Sequence, residues 1–179
     1  LAMAINDAAT GKESKLTKEQ IQEAMGKLQE QTMKKQQEIG EANKKKGAEF
    51  LEKNKSAPGV QTTKSGLQYA VVTEGTGKVP TKDDVIKAHY KGSLTTGEQF
   101  DSSYDRGQPA EFPVGGVIPG WTEALQMMKV GSKFKLWIPS DLAYGPAARP
   151  GIPANSVLAF EVELLDIVKQ DKKPETKKK

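Results

Sequence analysis

Apolar positions follow two rhythms along this chain. Between Leu67 and Leu164 they alternate with polar ones: Leu67, Tyr69 and Val71; Ile86, Ala88 and Tyr90; Phe134, Leu136 and Ile138; and Leu158, Phe160, Val162 and Leu164. A period of two places such residues on one side of a strand, so each segment is expected to bury one face, as in an antiparallel sheet covered on one side. Gly75-Thr-Gly77, Thr96-Gly97, Gly115-Gly116 and Gly131 supply the turns between them. Helical spacing occurs once in this region. Trp121, Ala124, Leu125 and Met128, opened by Pro119-Gly120, predict a short helix over Trp121–Met128 that can fill the hollow of a curved sheet.

From Thr17 to Lys55 the alternation is lost. Thr17-Lys-Glu-Gln20 reads as a capping box, in which the Thr17 hydroxyl and the Gln20 side chain satisfy exposed amide groups at a helix start. No proline follows until Pro58, and Lys, Glu, Gln and Ala, all good helix formers, dominate. About 39 residues at 1.5 Å each predict a helix of roughly 58 Å. Its apolar residues are sparse: Ile21, Met25 and Leu28 at one end, Phe50 and Leu51 at the other, Met33 and Ile39 between, too few for a heptad seam. A helix polar all round is expected to be a solvated spacer joining two bodies. Gly26, Gly40 and Gly47 each weaken it by about 1 kcal/mol relative to Ala, which favours bending. Ser56-Ala-Pro-Gly-Val60 ends the helix.

Rings locate the compact domain. Ten of the eleven Phe, Trp and Tyr residues lie between Tyr69 and Phe160, which places the domain at 65–168. The helical spacer then occupies 17–56 and a linker 57–64. Residues 1–16 end another short amphipathic helix, at Leu1–Ala9, and 169–179 form a lysine-rich tail expected to be disordered for want of apolar residues. A first residue other than Met and the lack of a signal peptide at the start are expected of a processed or trimmed piece.

Charge and chemistry narrow the function. The net +4 comes from the ends: residues 1–56 carry +2, 57–168 carry −2 and 169–179 carry +4. A nucleic-acid reader concentrates positive charge on its folded surface, so no nucleic-acid partner is expected. No run of about 18 uncharged apolar residues exists, so no membrane span is expected. The chain has no Cys, hence no disulfide and no thiol nucleophile, and a single His, His89, so it cannot build a multi-histidine metal site. His89 faces opposite to Tyr90 by strand alternation and is expected to be structural.

Six ordered motifs carry a resemblance: Val85-Ile-Lys-Ala-His-Tyr-Lys-Gly92, Phe100-Asp-Ser-Ser103, Val117-Ile-Pro-Gly-Trp121, Leu142-Ala-Tyr-Gly145, Pro150-Gly-Ile-Pro153 and Leu158-Ala-Phe-Glu-Val-Glu-Leu164. Together they resemble the tacrolimus-binding (FKBP) family of peptidyl-prolyl cis–trans isomerases over about residues 65–168. The charged helix ahead of them is similar to that of the bacterial Mip and FkpA group. The resemblance implies an α+β fold, a curved antiparallel β-sheet wrapped around one short helix and preceded by a long solvent-exposed N-terminal α-helix. It implies rotamase activity on X-Pro bonds, chaperone activity, unfolded or proline-containing polypeptides as partners, and macrolide inhibitors such as tacrolimus and rapamycin as ligands. It further implies the periplasm or outer membrane surface of a Gram-negative bacterium, and a homodimeric parent in which residues 1–16 are the remnant of the dimerisation region, with the piece itself open to being monomeric.

Residue by residue, the resemblance puts Trp121 under the proline ring and Tyr90, Phe100, Phe112, Val117, Ile118 and Phe160 in the walls. Asp101 would face the twisting carbonyl, Arg106 would pair with and orient Asp101, and the Tyr144 hydroxyl with the Ile118 N–H would hold the substrate main chain. Two departures accompany the match. Ala110 stands where eukaryotic relatives often carry a ring, which opens one wall, and the Pro146–Pro153 loop carries Arg149 and is one residue shorter than theirs.

The chemistry fits a site with no metal, cofactor or acid–base pair. Rotating an amide costs about 18–20 kcal/mol because planarity gives the C–N bond double-bond character, and no bond is broken. Taken singly, Tyr90, Phe112 and Phe160 are ordinary core rings, Asp101-Ser-Ser a turn and Tyr144-Gly a hairpin; only their joint order points to a site. A non-catalytic holdase or proline-peptide binding module is the alternative, and a helix-mediated interaction protein whose C-terminal lysines, within 170–179, contact an acidic partner is a weaker one.

Overall fold

The computed structural model describes residues 17–168. The expected short helix at Leu1–Ala9 and the expected disordered tail at 169–179 lie outside the described residues. Two compact units divide the chain between Ile39 and Gly40.

The first helix, α1, runs over Lys18–Asn54. Its start is the expected capping box: Gln20 N–H donates to Thr17 Oγ1 at 3.3 Å, and Thr17 N–H donates to Gln20 Oε1 at 3.0 Å. Within the first unit the helix is solvated, with Met25, Leu28, Met33 and Ile39 all exposed. Within the second unit the spacer expectation fails. Gly40 and Gly47 are buried, while Asn43, Phe50, Leu51 and Asn54 are half-buried at the same helical spacing. The buried stripe is made of Gly and Asn rather than Leu or Ile, so counting apolar residues misses it. A Cβ at Gly47 would lie 2.7 Å from Val157 Cγ2, whereas one at Gly26 would meet nothing within 4 Å. Gly40 and Gly47 are therefore close-approach points and not merely bends. A domain start at Ser65 leaves out these last turns of α1, which belong to the second unit. The helix end is tied down by Gln68, only 3% exposed: its Nε2 donates to Leu51 O and its Oε1 accepts from Asn54 Nδ2, both at 2.8 Å. The turn that follows uses Gly59 at φ 77°.

The second unit is built on one antiparallel sheet. Its strands are β1 (Val60–Thr62), β2 (Gln68–Thr73), β3 (Val85–Leu94), β4 (Gln99–Ser102), β5 (Ala110–Pro113), β6 (Lys133–Ile138) and β7 (Leu158–Val168). The order is β1-β2-β6-β7-β3-β4, and β5 continues the edge by pairing with the first half of β3. A short helix, α2 (Pro119–Leu125), supplies Trp121, Ala124 and Leu125 to the core. It stops three residues before the expected Met128, which is nevertheless fully buried. Ile86, Ala88, Phe134, Leu136, Ile138, Leu158, Val162 and Leu164 fill the same core, as alternation requires. Val71 departs from its expected buried face and is 39% exposed: β1 pairs with β2 no further than Ala70, and the register slips between Val71 and Thr73. His89 lies on the opposite face to Tyr90, with Nδ1 2.9 Å from Ser103 Oγ and its ring stacked on Tyr104.

Candidate active site

Between α2 and the sheet lies a hollow of about 350 Å³ lined by Tyr90, Phe100, Asp101, Phe112, Gly116, Val117, Ile118, Trp121, Tyr144 and Phe160. Nine of the ten site residues expected from the sequence are among them, and the tenth, Arg106, contacts two of the nine. Trp121 is 4% exposed and meets three rings edge to face, with centroids 5.4 Å from Tyr90, 5.5 Å from Phe112 and 5.3 Å from Phe160. Phe100 and Phe160 meet edge to face at 5.6 Å. Such perpendicular packing is favourable and locks each ring. The Trp121 indole N–H is buried with no partner among the described residues.

Two local devices that alternation does not reveal bring these side chains together. In β4 the register with β3 slips: Gly92 faces Asp101 and Ser93 faces Gln99, so Phe100 is an extra residue. The bulge lets the consecutive Phe100 and Asp101 both line the hollow, which a regular strand forbids. The second device is a pair of close approaches. A Cβ at Gly92 would stand 2.7 Å from both Phe100 and Phe160, and one at Gly120 would stand 2.4 Å from Ile138, so glycine seats the rings in one case and α2 in the other. Gly116 also lines the hollow and was not anticipated, since a residue without a side chain leaves no chemical signal.

Polar groups gather at the lip. Tyr90 Oη donates to Asp101 Oδ2, Arg106 Nη1 donates to Asp101 Oδ1 at 2.5 Å, and Arg106 Nη2 donates to Tyr90 Oη at 2.7 Å. Partial burial works to raise the Asp101 pKa, but the hydrogen bonds from Tyr90 and Arg106 and the Arg106 charge outweigh it and hold the carboxyl below the ordinary aspartate value. Burial, then the bond to Asp101, pushes the Tyr90 phenol above its ordinary value, which keeps it a donor. Pro119 follows Ile118 and holds it extended, at φ −58° and ψ 147°, and the Ile118 N–H has no partner among the described residues. The Tyr144 ring, 36% exposed, stands under the Arg149 guanidinium at 5.5 Å.

A curved antiparallel sheet closed over one short helix, with a ring-lined hollow between them, defines an FKBP-like fold. The profile of the FKBP-type peptidyl-prolyl cis-trans isomerase domain matches residues 77–165, and that of the domain amino-terminal to FKBP-type peptidyl-prolyl isomerase matches residues 1–71. FkpA of Aeromonas hydrophila is 52% identical over 89% of this chain, which spans 61% of that protein's length. The outer membrane protein MIP of Legionella longbeachae is 42% identical, with 94% of this chain and 75% of that protein covered. The crystal structure of FkpA from Escherichia coli superposes with a TM-score of 0.78 at 43% identity, covering 93% of this chain and 79% of that one. The chain belongs to the FKBP-type peptidyl-prolyl cis-trans isomerase family.

Proposed function

We propose that the chain accelerates cis–trans isomerisation of X-Pro bonds in unfolded or proline-containing polypeptides. The observation that carries this reading is the convergence of Trp121, Phe160, Phe112 and Tyr90 on one hollow whose lip holds an ionised, fully paired Asp101. In the planar amide the C–N double-bond character separates charge, and in the twisted transition state part of that separation is lost. A hollow that excludes water disfavours the polar planar form more than the twisted one. The proline ring packs on Trp121 between the walls. Asp101, fixed by Tyr90 and Arg106, faces the turning carbonyl and answers its redistributed charge without having to reorganise. The free Ile118 N–H and the Tyr144 hydroxyl hold the main chain on either side. Rotation breaks no bond, so the step needs no proton donor, metal or cofactor.

The same hollow suits the apolar rings of macrolides such as tacrolimus and rapamycin. We propose that the parent protein lies in the periplasm or at the outer membrane surface of a Gram-negative bacterium, a placement supported by its similarity to the outer membrane protein MIP, and that it is a homodimer with chaperone activity, as the family resemblance implies. Among the described residues no helix is long and apolar enough to cross a membrane.

A prolyl-peptide exchange assay tests the central reading. Catalytic amounts of the chain should accelerate exchange, with kcat/KM falling at least about tenfold in Asp101→Ala, the equivalent of about 1.4 kcal/mol of transition-state stabilisation. Lack of acceleration alongside retained tacrolimus binding by calorimetry would leave a binding module in place of an enzyme.

A further inference from the structure

Among the described residues one non-glycine occupies the left-handed region, Asn155 at φ 55°. Asn tolerates this conformation better than most residues, and a side chain held there marks a position the surroundings determine. Both ends of Asn155 are engaged. Its main-chain N–H donates to Gly145 O at 2.8 Å, and its side-chain Nδ2 donates to Gly40 O on α1 at 3.2 Å. Beside it Asn43 Nδ2, one turn along α1, donates to Ala154 O at 2.9 Å. Gly47 lies close enough to Val157 that a Cβ there would come within 2.7 Å. Residues 154–157 are thus fastened to three successive turns of α1, all inside the second compact unit.

Gly145 immediately follows Tyr144. Its own N–H donates to Ser140 O at 2.9 Å, so Gly145 is held at its N–H by Ser140 and at its carbonyl by Asn155, which pins the backbone on the C-terminal side of Tyr144. The Tyr144 ring is exposed and has the Arg149 guanidinium as its ring partner. What fixes its hydroxyl in space is therefore the backbone beneath it.

We infer that Asn155 is a positioning residue that clamps the Tyr144 loop to α1, so that the docked helix sets where the Tyr144 hydroxyl meets the substrate main chain. The inference rests on the proposed role of Tyr144 in holding substrate. It gives α1 a part in the isomerase site without contacting the hollow, and it explains why α1 offers Gly40, Asn43 and Gly47 to the domain: small residues allow the approach, and amides make the directional bonds.

Three variants of the full chain separate the parts. Asn155→Gly keeps the left-handed backbone and its N–H but removes the amide to α1. Asn155→Asp keeps shape and replaces the donor by an acceptor facing a carbonyl. Gly47→Leu pushes α1 off Val157 and leaves the loop sequence intact. Each should raise KM for a prolyl tetrapeptide by about fivefold to tenfold, the scale of one lost hydrogen bond, with kcat within twofold, because main-chain holding acts equally on ground and transition states. In chains carrying 3-fluorotyrosine, each should displace the fluorine resonance that Tyr144→Phe removes. Combined with Tyr144→Phe, none should raise KM further. Unchanged KM and an unmoved resonance in both Asn155 variants overturn the clamp, as does a KM increase that persists undiminished in the Tyr144→Phe background. If Tyr144→Phe itself leaves KM unaltered, the substrate-holding role falls; the clamp then stands if the resonance moves in Asn155→Gly and falls if it does not.

Discussion

In the proposed reaction Asp101 is a half-exposed carboxylate that matters more to chemistry than to stability. Its side chain is 42% exposed and that of Arg106 45%, so water and salt screen the pair and its worth to folding is at most about 1 kcal/mol. Its pKa lies below the ordinary aspartate value, which partial burial opposes and the bonds from Tyr90 and Arg106 bring about. A depressed folded-state pKa means the stabilising contribution is complete above the unfolded value near 3.9 and is lost as pH falls through the lower folded value. If the ionised Asp101 acts in the reaction as proposed, kcat/KM should stay flat from neutral pH to about 4 and decline only below it, as followed by exchange spectroscopy on a peptide without titratable groups. Asp101→Asn should lose activity at every pH while shifting the urea midpoint by the equivalent of about 1 kcal/mol or less. A midpoint shift several times larger, with activity retained, would make the cluster at the lip structural.

At the scale of elements, the hollow depends on strand β3 as much as on the helix at its floor. Gly92 leaves a gap in β3 that Phe100 and Phe160 fill from the flanking strands, with both rings 2.7 Å from where a Cβ would stand. Gly92→Ala should therefore splay the two rings, destabilise by about 1–3 kcal/mol as overpacking does, and weaken tacrolimus binding measured by calorimetry. Binding at full strength would show that the rings can give way without disturbing the wall. This device also marks the boundary of what sequence makes legible. Alternation located β3, β6 and β7 and their buried faces because each has a wet and a dry side, and spacing found Trp121 because a short amphipathic helix has one dry stripe. The bulge at Phe100 left no such trace, since one extra residue in a strand is visible only against its partner. The pairing of Arg106 with Asp101 is implied by the resemblance rather than by periodicity, which assigns faces and not distances, whereas the bonds of Tyr90 to both, a residue expected only as a wall ring, come from the structure. The docked stripe of α1 was missed because Gly and Asn read as polar or weak positions, whereas here they give close approach and directed bonds.

For the whole molecule the division between Ile39 and Gly40 predicts where the chain can be shortened without harm. A chain beginning at Gly40 keeps Asn43, Gly47, Leu51 and Asn54, and with them every partner that α1 gives to Gln68 and to residues 154–157. A chain beginning at Ala57 loses all of these. Gln68, at 3% exposure, is then opened to water or left unpaired, and Val157 loses its cover. Stranding a buried amide costs about 1–3 kcal/mol, and uncovering apolar surface adds about 25 cal/mol per Å². Urea unfolding of residues 40–168 should thus show the same stability for the isomerase unit as residues 17–168, while residues 57–168 should be several kcal/mol weaker with a smaller m-value, because less surface is buried to begin with. If both shortened chains unfold at one midpoint, the end of α1 is a passenger on the domain. If only the shorter one is weakened, the helix is part of that unit's fold.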